Sequence, residues 1–260
     1  MTDHVELYGA SYGNFATQLY ADIRRDAFGE DIGQTSWIGA AEQDRFIEWL
    51  ELRAGTRLLD VACGSGGPTL RIARTTGATV TGIDLHEQGI AKARDQAGEG
   101  ARFEVADAAA PLAFGDASFD AVICIDAINH LANRGAVFAE WRRVLAPGGR
   151  LVFTDPIVVT GLLTGDEMRI RSSIGYFVFA PAGIDETLLV AAGFTIERVE
   201  DRTENMARLA RGWFEARRVR EPDLRSIEGA DTFAGQQRFL ETAAILAEQR
   251  RLSRFAFLVR

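Results

Sequence analysis

From Arg57 onward the 260-residue chain follows a rhythm that few folds accommodate. Short apolar or β-branched runs alternate with helical segments. Strand-like runs occupy 57–62, 79–84, 101–106, 119–125 and 149–155, and helical stretches occupy 67–75, 87–97 and 136–145. Crossovers of helical length return the chain to the same edge of a sheet. The spacing therefore predicts parallel strands with helices on both faces, an α/β architecture. Upstream, 9–28 and 39–51 read as two helices joined by Gly33-Gln34-Thr35-Ser36-Trp37. Downstream the pattern loosens. An apolar, aromatic stretch runs from Ile174 to Pro181, and a short helix over 185–192 ends at Gly193, a natural helix stop. A strand follows over 194–199, then two amphipathic helices over 204–220 and 233–251, then a last strand over 254–259. The expected organisation is an N-terminal helical lid (1–52), a nucleotide-binding core (53–156), and a remainder that completes the sheet and carries helical cap insertions over the acceptor site (157–260).

The most informative segment is Leu58-Leu-Asp-Val-Ala-Cys-Gly-Ser-Gly-Gly67, an apolar strand running through a glycine turn into a helix. Gly64 and Gly66 let a backbone approach a ligand closely at the carboxyl end of the strand. Glycines alone are equally consistent with a tight turn that binds nothing. Asp84 ends the next strand, where a carboxylate can accept both hydroxyls of a ribose. Asp107 follows the third strand, where it can accept an adenine amino group. A nicotinamide dinucleotide makes the same ribose demand, but its G-x-G-x-x-G pattern fails here because Thr69 stands in the third glycine position.

Asp60-Val-Ala-Cys-Gly-Ser-Gly66 resembles the cofactor loop of class I S-adenosylmethionine (SAM)-dependent methyltransferases. Ile83-Asp84, Val105-Ala-Asp107, Phe114 to Val122 and Arg143 to Val152 resemble that family's later motifs, in its order and spacing. The resemblance covers about 56–156 and implies a Rossmann-like, mostly parallel seven-stranded sheet whose last strand, 254–259, is antiparallel. It also implies SAM as cofactor, with contacts from Trp37, Asp60, Ala62, Gly64, Gly66, Asp84, Leu85, Asp107, Ala108 and Ile125. Ala62 departs from the family, which usually has its first glycine there. The helical insertion before the last strand is similar to a subgroup of ubiquinone/menaquinone-type, sarcosine/dimethylglycine-type and sugar O-methyltransferases. In that subgroup the loop between the N-terminal helices closes on the cofactor, which adds Gln34 and Ser36 as contacts, with Tyr8 and Tyr12 as further covering groups.

Methyl transfer is an in-line displacement at a sulfonium. Charge disappears in the transition state, so a dry aromatic enclosure and good alignment serve it. A base is needed only where the acceptor must lose a proton. His130, in Asp126-Ala-Ile-Asn129-His130, follows the fourth strand and is the candidate base; helix capping would explain it equally well. Sugar O-methyltransferases of the subgroup carry paired histidines here, and Asn129 breaks the pair. Asp155 is expected to hold either His130 or the acceptor. Asn129, Arg169, Arg171, Ser173 and Tyr176 are the expected acceptor contacts, an arginine suiting a carboxylate or phosphate.

Charge limits the partners. The net charge is −8, which repels phosphate backbones and argues against nucleic acid. The one dense arginine stretch, Arg211, Arg217, Arg218 and Arg220, interleaves with Glu215 and Glu221 and reads as a solvated helix face. The polar, acidic start resembles no signal peptide, and no segment is long and apolar enough for a bilayer, so a cytoplasmic protein is expected. Cys63 and Cys124 lack metal-ligand neighbours and read as small buried hydrophobes; no metal is expected. The expectation is thus an enzyme that methylates a small metabolite or natural product at oxygen or nitrogen. A SAM-fold protein acting as a cyclase, decarboxylase or binding module is the rival.

Overall fold

The computed structural model describes residues 17–260. His4, Tyr8, Tyr12 and the start of the first expected helix lie outside them. In chain order the elements are α1 (Gln18–Phe28), α2 (Ala40–Trp49), β1 (Arg57–Val61), α3 (Gly67–Thr76), β2 (Thr79–Asp84), α4 (Glu87–Gln96), β3 (Ala101–Val105) and β4 (Phe119–Cys124). A 3-10 turn (Ile128–His130), α5 (Arg134–Val144) and β5 (Leu145–Val159) follow, then α6 (Gly165–Arg171), β6 (Ala180–Pro181), α7 (Ile184–Ala191) and β7 (Ile196–Asp201). The chain closes with α8 (Thr203–Arg218), α9 (Glu221–Glu228), α10 (Ala230–Glu248) and β8 (Leu252–Val259).

The sheet runs β3-β2-β1-β4-β5-β8-β7, with the two-residue β6 paired to the end of β5. Strands β1 to β5 are parallel, and β8 lies antiparallel between β5 and β7. This is the expected mostly parallel, Rossmann-like sheet with an antiparallel last strand, enlarged by the small β6. Alternation of side chains along each strand sorts the core into two layers. Leu58, Val80, Ile123 and Val152 face α2 and α3, where Phe46, Trp49 and Ile72 meet them. Leu59, Val61, Val122 and Phe153 face α5, where Val137, Phe138 and Trp141 meet them.

Three features extend the sequence reading. Strand β5 spans 145–159 rather than 149–155, so Asp155 lies inside it. Helix α6 is set by a capping box in which the Thr164 hydroxyl accepts from the Glu167 N–H and the Glu167 side chain accepts from the Thr164 N–H. Helix α9, with proline in its first turn, makes the insertion before β8 three helices. These three pack with α1 and Trp37 into a separate apolar cluster that includes Tyr20, Ile23, Leu209, Phe239 and Leu240. Among the described residues no helix is long and apolar enough to cross a membrane.

The order of strands reverses at β1 and β4. In open α/β sheets that reversal opens a crevice beyond the carboxyl ends of the strands. The turns after β1, β2, β3 and β4 therefore meet there, and the cap cluster roofs them.

Candidate active site

A cavity of about 790 Å³ fills this crevice. Its floor comes from the turn after β1 (Asp60, Ala62, Cys63, Gly64, Ser65), the turn after β2 (Asp84, Leu85, His86), the turn after β3 (Asp107, Ala108, Ala109) and the end of β4 (Ile125, Asp126). Its roof comes from Tyr20, Trp37, Phe177, Trp213, Gln236, Phe239 and Leu240. Asn129, His130, Arg171 and Tyr176 stand between the two. Gln34 and Ser36 of the loop between α1 and α2 also line it.

Backbone geometry explains the floor. Ala62 adopts φ 60°, in the left-handed region that favours glycine, so the position that the family fills with glycine keeps its conformation despite a side chain. Gly64 is also left-handed, and its N–H donates to Asp84 at 2.8 Å. The other Asp84 oxygen accepts the His86 N–H at 2.8 Å, so two backbone donors fix the carboxylate at the cavity wall. Asp60 accepts a hydrogen bond from Thr69 at 2.5 Å, and burial lifts its carboxyl to about 7. Asp107 is anchored by the Ala109 N–H at 2.8 Å and is otherwise exposed. Leu85 is 62% exposed and lies against the open side.

Gly66 does not line the cavity. It caps α3 at φ 76°, and a Cβ there would meet Ala93 at 2.8 Å and the Phe103 ring at 2.9 Å. Protein, not a ligand, makes the close approach. The same holds next door: a Cβ on Gly67 would meet the Ile32 carbonyl at 2.5 Å, because the lid loop lies directly on the start of α3.

The lid loop is also less loose than its polar residues imply, since Ile32, Trp37 and Ile38 are buried. The Trp37 ring stands edge-on to Trp213 and stacks over Phe239. The Trp37 backbone N–H donates to Asp126 at 2.8 Å. Asp126 in turn accepts from the Thr154 hydroxyl and from Arg254 Nε, each at 2.7 Å. Arg254 Nη1 reaches both Glu42 oxygens at 2.9 Å, and Arg202 Nε reaches Glu42 at 2.6 Å. This buried chain of charges ties β8 to α2, to the end of β4 and to the lid.

The expected acceptor contacts divide. Asn129 and Tyr176 line the cavity. Arg169 and Ser173 do not: Arg169 is exposed on α6 beside Asp166, and the Ser173 hydroxyl turns back to the Ile170 carbonyl at 2.7 Å. Arg171, also expected, does line the cavity, with its guanidinium 4.4 Å from the Phe239 ring centroid. Two residues along a helix turn about 200°, which puts Arg169 and Arg171 on opposite faces. Arg217, expected on a solvated face, is 1% exposed, lines the cavity and forms a two-pronged bond to Glu228.

Asp155 lies behind the cavity wall: it is 0% exposed and binds Arg134 at 2.5 Å and the Ile157 N–H at 3.0 Å. Arg134 also binds Asp185 at 2.7 Å, and burial beside Asp155 raises the Asp185 carboxyl to about 7. A third Arg134 bond, to the Val178 carbonyl at 3.1 Å, pins the aromatic loop that carries Tyr176 and Phe177. Asp155 thus acts at the back of the wall, through Arg134.

His130 Nδ1 lies 2.9 Å from the Tyr176 carbonyl oxygen, and the ring stands edge-on to Phe177 at 4.6 Å. A carbonyl only accepts, so Nδ1 carries the hydrogen and Nε2 the lone pair of the neutral ring. Burial holds the imidazole below its ordinary value. Sequence reasoning did not identify the roof residues Trp213, Gln236 and Phe239. They follow helical spacing with the core residues Leu209 and Leu240, so nothing in the pattern separates cavity wall from core.

The profile of the family described as "Methyltransferase domain" matches residues 59–153. Over 200 residues the chain is 35% identical to a 27-O-demethylrifamycin SV methyltransferase of Amycolatopsis mediterranei, covering 70% of this chain and 73% of that enzyme. It spans about half the length of other curated relatives. Among solved structures, the [4+2]-cyclase SpnF superposes with a TM-score of 0.74 at 25% identity over 98% of this chain and 96% of that one. A phosphoethanolamine N-methyltransferase 2 of Haemonchus contortus superposes with a TM-score of 0.80 at 20% identity, over 98% of this chain and 60% of that one, and shares the fold. The chain belongs to the class I SAM-dependent methyltransferases, in their small-molecule branch.

Proposed function

We propose that the protein methylates a hydroxyl on a bulky, largely apolar small molecule, with His130 as the base. The observation that carries this reading is the state of His130. Its Nδ1–H is committed to the Tyr176 carbonyl and burial favours the neutral ring, so Nε2 is unprotonated at neutral pH beside an aromatic enclosure. An alcohol needs such a proton acceptor; a neutral amine can attack without one. The volume admits an acceptor beside the cofactor, since small-molecule pockets span roughly 300–1,000 Å³ and this one holds about 790 Å³. The curated relative from Amycolatopsis acts, by its name, on a demethylated oxygen of a rifamycin.

The residues of the floor fit SAM. Ser65 Oγ is buried in the glycine loop with no hydrogen-bond partner, a vacancy that a polar ligand fills. Asp84 keeps lone pairs beyond its two backbone donors and would accept the ribose hydroxyls, with Asp107 accepting the adenine amino group and Leu85 and Ile125 covering the ring. Asp60 and the loop from Ala62 to Gly64 would face the methionine end, closed by Trp37. When bound, SAM supplies an electrophilic methyl on a sulfonium. The chain's own residues align the acceptor, exclude water and hold its proton at His130 Nε2. Asp84→Ala is expected to weaken SAM binding at least tenfold, because each hydrogen bond to a charged group contributes about 1.5–3 kcal/mol. Calorimetry showing unchanged affinity, with far-UV dichroism intact, would reject the assignment.

The likeness to SpnF supports one alternative, a cyclase that uses the same enclosure without transferring a methyl group. Incubation with SAM labelled in its methyl group and a panel of apolar alcohols, phenols and amines separates the readings. Label in an ether product supports O-methylation. Label at nitrogen overturns it, and an unlabelled, rearranged product establishes the cyclase.

A further inference from the structure

Between α6 and β6 the aromatic loop that carries Tyr176, Phe177 and Val178 has no regular structure to hold its backbone. Its polar groups must find partners elsewhere. Among the described residues three hydrogen bonds reach the main chain of these residues, and all three come from one short segment, 129–134. The Tyr176 carbonyl accepts from His130 Nδ1 at 2.9 Å, the Val178 N–H donates to the Asn129 carbonyl at 2.8 Å, and the Val178 carbonyl accepts from Arg134 Nη2 at 3.1 Å. The third bond depends on how Arg134 is aimed. Asn133 caps α5, its side chain accepting the Ala136 N–H at 3.3 Å, which fixes Arg134 at the start of the helix. Two carboxylates then set the guanidinium. Asp155 of β5 and Asp185 in the first turn of α7 both take Nη1, at 2.5 and 2.7 Å, and the planar fork turns Nη2 to Val178. None of the three side chains is more than 5% exposed, so water screens the cluster little.

We propose that Arg134 is a positioning residue for His130: clamped by Asp155 and Asp185 behind the cavity wall, it holds the aromatic loop so that the Tyr176 carbonyl keeps a hydrogen on His130 Nδ1. Val178 is gripped on both sides, by Asn129 at its N–H and by Arg134 at its carbonyl. The carbonyl that selects the tautomer lies two residues away. Because a carbonyl only accepts, its position decides which ring nitrogen carries the hydrogen and how the ring is turned. Releasing one grip lets the loop drift, and a catalytic group displaced by about 1 Å loses much of its effect. The role needs no contact with substrate, and Arg134, Asp155 and Asp185 are all absent from the cavity lining. The inference rests on the O-methylation reading for what His130 does in turnover, but the tautomer itself is measured without an acceptor.

The test compares Arg134→Lys and Asp185→Asn with the unmodified full-length protein, each saturated with S-adenosylhomocysteine at neutral pH. Arg134→Lys keeps a cation between the carboxylates, but a single ammonium cannot span both of them and the Val178 carbonyl as the fork does. Asp185→Asn keeps an accepting oxygen, and it is a mild change because burial beside Asp155 already raises that carboxyl to about 7. Imidazole nitrogen chemical shifts report the tautomer; the His130 signal is the one of three that His130→Gln removes. The unmodified protein is expected to show the Nδ1–H form. Arg134→Lys is expected to shift His130 toward the mixture of an unconstrained imidazole. Exchange of the Val178 amide should quicken at least about tenfold, the factor for one lost hydrogen bond to a charged group. S-adenosylhomocysteine affinity should stay within about twofold, since the cofactor-facing carboxylates share no partner with Arg134. Asp185→Asn is expected to match the unmodified protein in both signals. Four results would overturn the proposal: another tautomer in the unmodified protein, an unchanged tautomer in Arg134→Lys, exchange that quickens equally across the sheet, or loss of the tautomer in Asp185→Asn. Should Arg134→Lys fail to bind S-adenosylhomocysteine, Arg134→Gln with Asp155→Asn, which removes the cation and one anion together, is read by the same criteria; loss of binding there too marks a merely structural role and overturns the proposal. Failure of the base reading is distinguishable, because it shows as full turnover of His130→Ala and leaves the tautomer untouched.

Discussion

Arg254→Ala is expected to destabilise the protein by about 3–5 kcal/mol, the usual cost of removing one partner from a buried ion pair. Arg254 is 0% exposed and stands between two carboxylates whose side chains are each 3% exposed, Glu42 and Asp126. The Arg254 guanidinium offsets their mutual repulsion. Arg202 still reaches Glu42, but Asp126 keeps no other charged partner among the described residues. A domain of this size loses roughly 2–4 °C of melting temperature per kcal/mol, so a fall of about 6–20 °C is expected in thermal denaturation. Amide exchange at Trp37 should also accelerate, because its N–H is held by the carboxylate that Arg254 neutralises. Adding Glu42→Leu to Arg254→Met should cost less than the two single changes summed, as residues in one ion network couple. A melting point within 2 °C of the unmodified protein, a bound set by the same scaling, would refute this account.

That network marks the boundary between what the residues declare and what only packing reveals. The strand–helix alternation and the turns at Gly64, Asp84 and Asp107 are local signals, and the structure places all three turns on one cavity. Local periodicity records burial but not what does the burying. Arg217 reads as solvated beside Glu215 and Arg218 because its partner, Glu228, comes from the next helix, whose start is signalled by Pro222. The same ambiguity hides Phe239, which is cavity wall, among core residues of α10. Asp155 reads as a strand end facing the chemistry because the apolar run ends there. The strand runs on to Val159, held by its pairing with β8, and carries Asp155 under the wall to Arg134. Gly66 reads as a ligand contact, and Phe103, 37 positions later, lies where a side chain at Gly66 would project. Thr164 and Glu167 fix the start of α6 and hence the faces of Arg169 and Arg171, so the sequence also carries the signal that separates the two.

His130→Ala is expected to lower turnover by ~10²–10⁴, the range for a positioned base, while SAM affinity changes little because the adenosine-facing carboxylates lie on β2 and β3. The direction with pH follows from the lowered imidazole value. The active form is the neutral ring, so kcat/KM should rise with pH through a midpoint below the ordinary histidine value of 6.5. At pH 7 the neutral ring should predominate, and His130→Ala should abolish the acid limb as well as the rate. His130→Gln separates proton transfer from orientation: its amide can hold an acceptor by hydrogen bonding, but cannot take a proton. Recovery by Gln of KM alone, with kcat still depressed, is the signature of a base. Tyr176 offers no side-chain route to the same test, since its backbone carbonyl sets the tautomer and no substitution removes that atom. Full turnover of His130→Ala on the acceptor that gives the ether product would end the base assignment. Catalysis would then rest on alignment within the aromatic enclosure, and the hydroxyl would have to lose its proton to another group or to water.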